Sequence, residues 1–209
     1  KLQHYFERAV YIIMDKQITI PIFPLNILPL PGESVPLHIF EQRYRDLLSD
    51  LERDDASFGI FYVAEDNMER LGAIVKLEKV LRRYDTGESD IVVKCTGTFV
   101  MLKYLKSFEG RLYAGGEVMP LEDLGKKEVN LSLREEYGEY INLLGRSIQD
   151  DLVTHDCIAR AVDLDSNDRL KYLSVLETSK KQKFLSSRIK YKSFILEQEE
   201  KYKNSYTLN

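Results

Sequence analysis

Residues 20–48 read IPIFPLNILPLPGESVPLHIFEQRYRDLL. Five of the chain's six prolines lie between Pro21 and Pro36. Proline fixes φ and removes a backbone donor, so this stretch is not a regular central strand. It is not a solvated linker either, because Ile20, Ile22, Leu25, Ile27, Leu28, Leu30, Val35, Leu37, Ile39 and Phe40 are apolar. A segment both proline-broken and apolar is expected to be buried, irregular and rigid. Immediately after it, Phe40, Tyr44, Leu47 and Leu51 recur at helical spacing, which predicts an amphipathic helix over about 39–53.

The pattern on either side is β. Ile18, Ile20 and Ile22 alternate with Thr19 and Pro21, which predicts a strand over 18–23, and residues 34–37 suit a second short one. The run 58–63, FGIFYV, is too short for a typical helix and rich in aromatic and β-branched residues. Another strand is expected from Leu71. The DTGESD run at 85–90 is a hairpin signal, and a long return strand follows to Leu105, with Gly97 as a bulge or tight bend. A last strand is expected over 113–120, with Gly115-Gly116 as a flexible point. Six or seven short strands joined by hairpins suggest a closed or partly closed barrel, since closure hides sheet edges.

The character changes after Pro120. The polar run 122–128 is the expected boundary between a barrel subdomain (15–121) and a helical one (122–209). Four helices are expected, with capping boxes at Ser132 and Ser179 and caps at Thr154 and Ser166. The last runs through Phe184, Arg188, Tyr191, Ile195, Gln198 and Tyr202. Short connections make these a four-helix bundle. The fold class is therefore α+β.

At 209 residues, with 44% hydrophobic and 31% charged residues, the chain is globular. A net charge of −4 argues against a generic nucleic-acid binder. Cys95 and Cys157 are isolated, which points to a reducing compartment, taken as the cytoplasm, and to no disulfide framework. No apolar run reaches the roughly 20 residues of a membrane span, and no membrane partner is expected. Residues 1–13 lack the marks of a secretory signal. Met14 is expected to be a natural start, with residues 1–13 upstream or added. The rival is a short helix docking through Tyr5, Phe6, Ala9, Val10 and Ile13.

Catalytic and cofactor signatures are not found. No G-x-x-x-x-G-K-[ST] occurs, so no P-loop can cradle a nucleotide phosphate. His4, His38 and His155 lie far apart, so a metal site is not expected. Asp54-Asp55 and Asp150-Asp151 are adjacent, and adjacent residues do not share a helix face. The chain reads as a non-enzyme without a cofactor. Arg43 and Arg45 flank Tyr44 and can either capture a peptide carboxylate or carbonyl or pair with Glu41, Asp46 or Asp50. The segment 168–203 holds ten Lys and Arg against five Asp and Glu, and can be a docking face or a solvated one.

Residues 22–26 (IFPLN), 30–32 (LPG), 36–41 (PLHIFE) and 43–45 (RYR) together resemble the signature of the Lon amino-terminal domain, the substrate-binding region of ATP-dependent Lon proteases. The resemblance spans about 18–202 and is looser in the helices. It implies a PUA-like pseudo-barrel followed by helices, here standing alone without the ATPase and protease domains. One departure is Gly97-Thr98-Phe99, where relatives commonly place an arginine before the aromatic. The implied function is non-catalytic binding of proteins or peptides, linked to quality control or proteolysis. The partners are unfolded or degron-bearing polypeptides and a separate ATPase-protease on which the chain could act as an adaptor. The alternative is RNA binding, from the PUA-like fold. Candidate peptide-binding residues are Phe23, Leu25, His38, Phe40, Arg43, Tyr44, Phe61 and Tyr62. Taken singly, each of the apolar ones fits core better than contact, since a chain of this size needs about this many core residues. Phe61 and Tyr62 point to opposite faces of a strand, so one of them is expected to be outward or in a groove. His38 is either a polar group in a groove or a buried histidine bonded to backbone.

Overall fold

The computed structural model describes residues 17–121, 124–148 and 152–206. The expectations for residues 1–14 lie outside the described residues. The chain divides into two compact units, Lys1–Glu122 and Asp123–Asn209.

In the first unit the order is β1 (Ile18–Leu25), β2 (Ser34–Ile39), α1 (Gln42–Asp54), β3 (Ser57–Tyr62), β4 (Leu71–Arg83), β5 (Ser89–Leu105) and β6 (Ala114–Pro120). The sheet runs β2-β5-β4-β3-β1-β6, and β5 also pairs with β6. That extra pairing closes β1, β3, β4, β5 and β6 into a barrel and leaves β2 as an outer strand on β5. β1 and β3 are parallel, with Ile22 opposite Gly59 and Leu25 opposite Tyr62. Parallel neighbours need a crossover, and β2 with α1 supplies it. Pro31 precedes the turn glycine Gly32, which has φ 87°, and Pro36 sits on the outer strand. Pro21 and Pro24, against the expectation of no regular central strand here, lie within β1 between β6 and β3, where Pro21 is opposite Gly115 and Pro24 opposite Phe61.

Two apolar clusters occupy the two faces of the sheet. One gathers Phe23, Phe58, Ile60, Ala73, Val75, Ile91, Val93 and Cys95 under Tyr44, Leu47, Leu48 and Leu51 of α1. The other gathers Ile20, Ile22, Phe99, Met101, Ala114 and Val118. The odd-numbered residues of β5 serve both. Ile74 pairs with Gly97 but Val75 pairs with Cys95, so Thr96 is an extra residue. A one-residue bulge sends the following side chains to the opposite face. The bulge expected at Gly97 is therefore the device that lets one strand line two cores. Gly115 and Gly116, expected to give a flexible point, lie buried within β6. A Cβ at Gly116 would lie 2.6 Å from Met101 Sδ, so the pair permits close packing.

The second unit holds a short 3-10 turn (Leu124–Lys126), then α2 (Leu131–Leu143), α3 (His155–Ala161), α4 (Ser166–Ser174) and α5 (Thr178–Tyr206). Thr154 caps α3 as expected, accepting from the Cys157 N–H at 3.2 Å. The other starts differ from expectation. Asn130, not Ser132, caps α2, and Asp165, not Ser166, caps α4. In each case an amide or carboxylate oxygen slightly upstream reaches the third helical N–H, at 2.9 and 2.8 Å, and takes the role the serine would have had. Ser179 lies inside α5. Ile158, Val162, Leu173, Leu185 and Ile189 are among the buried apolar residues of this unit. Among the described residues no helix is long and apolar enough to cross a membrane.

Candidate functional site

The structure sorts the eight candidate residues into three places. Phe23 and Tyr44 are core: both are buried, and their rings stack with centroids 3.9 Å apart. Leu25 packs half-buried against the same cluster. Phe61 packs half-buried against the second cluster, and Tyr62 is buried. Neither of this adjacent pair is exposed, because both faces of β3 are covered. Arg43 lies over the Tyr44 ring at 4.6 Å and pairs with Glu41, Nε to Oε2 at 2.9 Å. Its neighbour Arg45 donates from Nη1 to the Thr86 carbonyl at 2.9 Å, tying α1 to the β4–β5 turn.

His38 and Phe40 remain, and they come together at the surface. Phe40 is 56% exposed. The two rings are near-parallel, 21° apart, with centroids at 6.0 Å. Tyr84 stands edge-on to His38, also at 6.0 Å. His38 faces Asp90 across the β2–β5 ladder, with Nδ1 2.7 Å from Asp90 Oδ1. The Tyr84 hydroxyl donates to Asp90 Oδ2 at 2.6 Å. The Tyr84 and His38 bonds hold the Asp90 carboxyl below the usual carboxylate range, and the same bond to Asp90 pushes the Tyr84 phenol up. Glu88 lies 3.6 Å from His38 Nε2, and Arg82 covers the Tyr84 ring at 4.5 Å. His38 is thus not the buried, backbone-bonded histidine that was the other reading. That description fits His155.

The backbone beside this patch is distinctive. The Cys95 N–H donates to the Glu33 carbonyl at 2.8 Å. In an antiparallel ladder the inward-pointing residues alternate. With Ser34 opposite Lys94 and His38 opposite Asp90, Val35, Leu37 and Ile39 turn their backbone groups to β5. Ser34, Pro36 and His38 turn theirs away. Among the described residues no other strand pairs with that side. The outer edge therefore offers N–H donors at Ser34 and His38 and carbonyl acceptors at Ser34, Pro36 and His38. Pro36 has no N–H to present, which is why proline is tolerated there. Val35 and Leu37 supply a half-buried apolar border.

Two further polar features were not legible as sites in the sequence. In the first unit a cavity of about 490 Å³ is lined by Ile20, Leu51, Phe108, Asp50, Arg53 and Arg111, among others. Its charges are mutually engaged: Asp50 accepts from Arg111 Nη2 at 2.8 Å and from the Tyr113 hydroxyl at 2.7 Å. In the second unit His155, Asp156 and Lys181 are buried. His155 Nδ1 lies 2.8 Å from the Lys127 carbonyl, Tyr172 donates to Asp156 at 2.6 Å, and Lys181 donates to the Tyr172 carbonyl at 2.6 Å. Helical spacing marks which face is inward but not which polar residue ends up buried on it.

Comparisons with known proteins agree with this architecture. A structure titled as a Lon N-terminal domain protein from Xanthomonas campestris superposes with a TM-score of 0.64 at 21% identity, covering 81% of this chain and 98% of that one. The N-terminal domain of Mycobacterium avium complex Lon protease gives 0.58 at 17% identity, covering 83% and 98%. At these identities the likeness shows the fold. No curated protein sequence matches the chain. Residues 19–204 match the family described as the ATP-dependent protease La (LON) substrate-binding domain, and the chain belongs to that family.

Proposed function

We propose that this chain is a non-catalytic polypeptide-binding module, and that the barrel unit takes an extended segment of a client as an added strand on the outer edge of β2. The observation that carries the reading is the edge itself. Backbone groups of Ser34, Pro36 and His38 point away from β5 one step before the exposed Phe40. Strand addition uses main-chain hydrogen bonds for affinity and neighbouring side chains for selectivity. A client strand on this edge would place alternate side chains beside Val35 and Leu37, and the others beside His38. Phe40 and Tyr84 would receive an apolar or aromatic residue at its end. Membership in a substrate-binding family supports the same reading. Clients of this kind are unfolded or degron-bearing polypeptides in the cytoplasm, handed on to a separate ATPase-protease.

The test is titration of a reduced, carboxymethylated protein into the full chain. Binding should persist with little change as salt rises and should fall about tenfold or more in Phe40→Asp, with melting unchanged. RNA binding that weakens steeply with salt, in place of peptide binding, would overturn the reading.

A further inference from the structure

The last helix carries a second surface, independent of the β2 edge. Over its first half, α5 is packed: Leu185 and Ile189 are buried. From Tyr191 onward Leu196 stays half-buried, but four other residues of the helix with large apolar side chains are turned out. Tyr191 is 56% exposed, Phe194 57%, Ile195 37% and Tyr202 66%. Surface helices normally bury such a stripe. The spacing 191, 195, 198, 202 is the alternating four-and-three repeat of a coiled-coil seam, with half-buried Gln198 as its one polar member.

The flanking charges identify what fits. With Tyr191 and Gln198 at d and Ile195 and Tyr202 at a, Lys192 and Glu199 take the e positions, and Phe194 and Lys201 take g. A second copy laid antiparallel sets e against e and g against g. Lys192 then meets Glu199 of the second copy twice, by symmetry, and each Phe194 ring meets a Lys201 ammonium, a favourable cation–π arrangement. A parallel pair sets g against e, which places Phe194 beside Glu199 and leaves Lys192 without an opposite charge. Lys192 Nζ donates to the Asp163 carbonyl at 3.2 Å. We propose that residues 191–202 form a self-association surface that pairs antiparallel with the same stretch of a second copy of this chain. The seam is about 16 Å long at 1.5 Å per residue, so the dimer is weak and concentration-dependent.

Sedimentation velocity of the full chain, from dilute solution to the solubility limit, should show a monomer passing to a dimer. Ile195→Asp should abolish the dimer without lowering helix content by circular dichroism. Lys192→Glu alone and Glu199→Lys alone should each weaken it on the order of tenfold. In each variant both e–e contacts become like-charged. An equimolar mixture of these two variants should recover a dimer, because every contact between unlike chains is then Lys with Glu. That recovery is peculiar to antiparallel pairing. A monomer at every concentration, a dimer indifferent to Ile195→Asp, or no recovery on mixing would each overturn the proposal.

Discussion

The Phe23 and Tyr44 rings lie face to face, 3.9 Å between centroids and 21° from parallel, and fasten α1 to the first barrel strand. Burial pushes the Tyr44 phenol above its ordinary value, consistent with a ring enclosed on both faces. Tyr44→Ala empties that site and should cost about 3 kcal/mol of stability. Phe40→Ala, four residues away and exposed, should change stability by less than about 0.5 kcal/mol. Urea unfolding of the two variants checks this. Equal losses would contradict the division into core and surface.

Gly72 leaves room for Phe99. A Cβ at Gly72 would lie 2.3 Å from Phe99 Cζ and 2.7 Å from the Ile60 carbonyl oxygen. The backbone atom cannot move aside as a side chain can. Gly72→Ala should therefore destabilise the barrel by about 1–3 kcal/mol, read from the shift in urea midpoint.

Asp50 is nearly buried on α1 and receives the Tyr113 hydroxyl at 2.7 Å. Burial first, and the bond to the carboxylate second, push the Tyr113 phenol well up. Tyr113→Phe keeps the ring and removes the donor. It should cost about 1.5 kcal/mol, the range for a hydrogen bond to a charged group. A variant as stable as the parent would mean that Arg111 and Arg53 already satisfy the carboxylate.

His155 is 0% exposed, and burial holds its imidazole below the usual 6.5. The native chain takes up this proton less readily than the unfolded chain. Its contribution to stability is therefore full above about pH 6.5 and is lost as pH falls below that value. Between pH 7 and 5, the melting temperature of the parent should fall further than that of His155→Gln. Parallel pH profiles would contradict the assignment.

Much of the barrel was legible because its signals are short-range. Alternation located the strands, the proline density marked the crossing segment, and Gly97 marked the bulge. The site was legible only in part. Helical spacing gave Phe40 and Tyr44 the same inward face, yet Phe40 precedes the helix, whose first residue is Gln42. It escapes the core for that reason. The pairing of His38 with Asp90 spans 52 residues and depends on ladder register, which local pattern does not reveal. The helix starts at Asn130 and Asp165 were misplaced by one or two residues because several polar side chains near each start can serve as caps.

Peptide capture on the β2 edge is tested most directly by backbone hydrogen exchange, resolved by residue, with and without a synthetic peptide of alternating apolar and polar residues. In the free chain the outward N–H groups of Ser34 and His38 should exchange fast, while those of Val35, Leu37 and Ile39, paired with β5, exchange slowly. Peptide at saturation should slow Ser34 and His38 together. Peptide bound with both amides still exchanging at their free rates would place the client elsewhere and contradict the account.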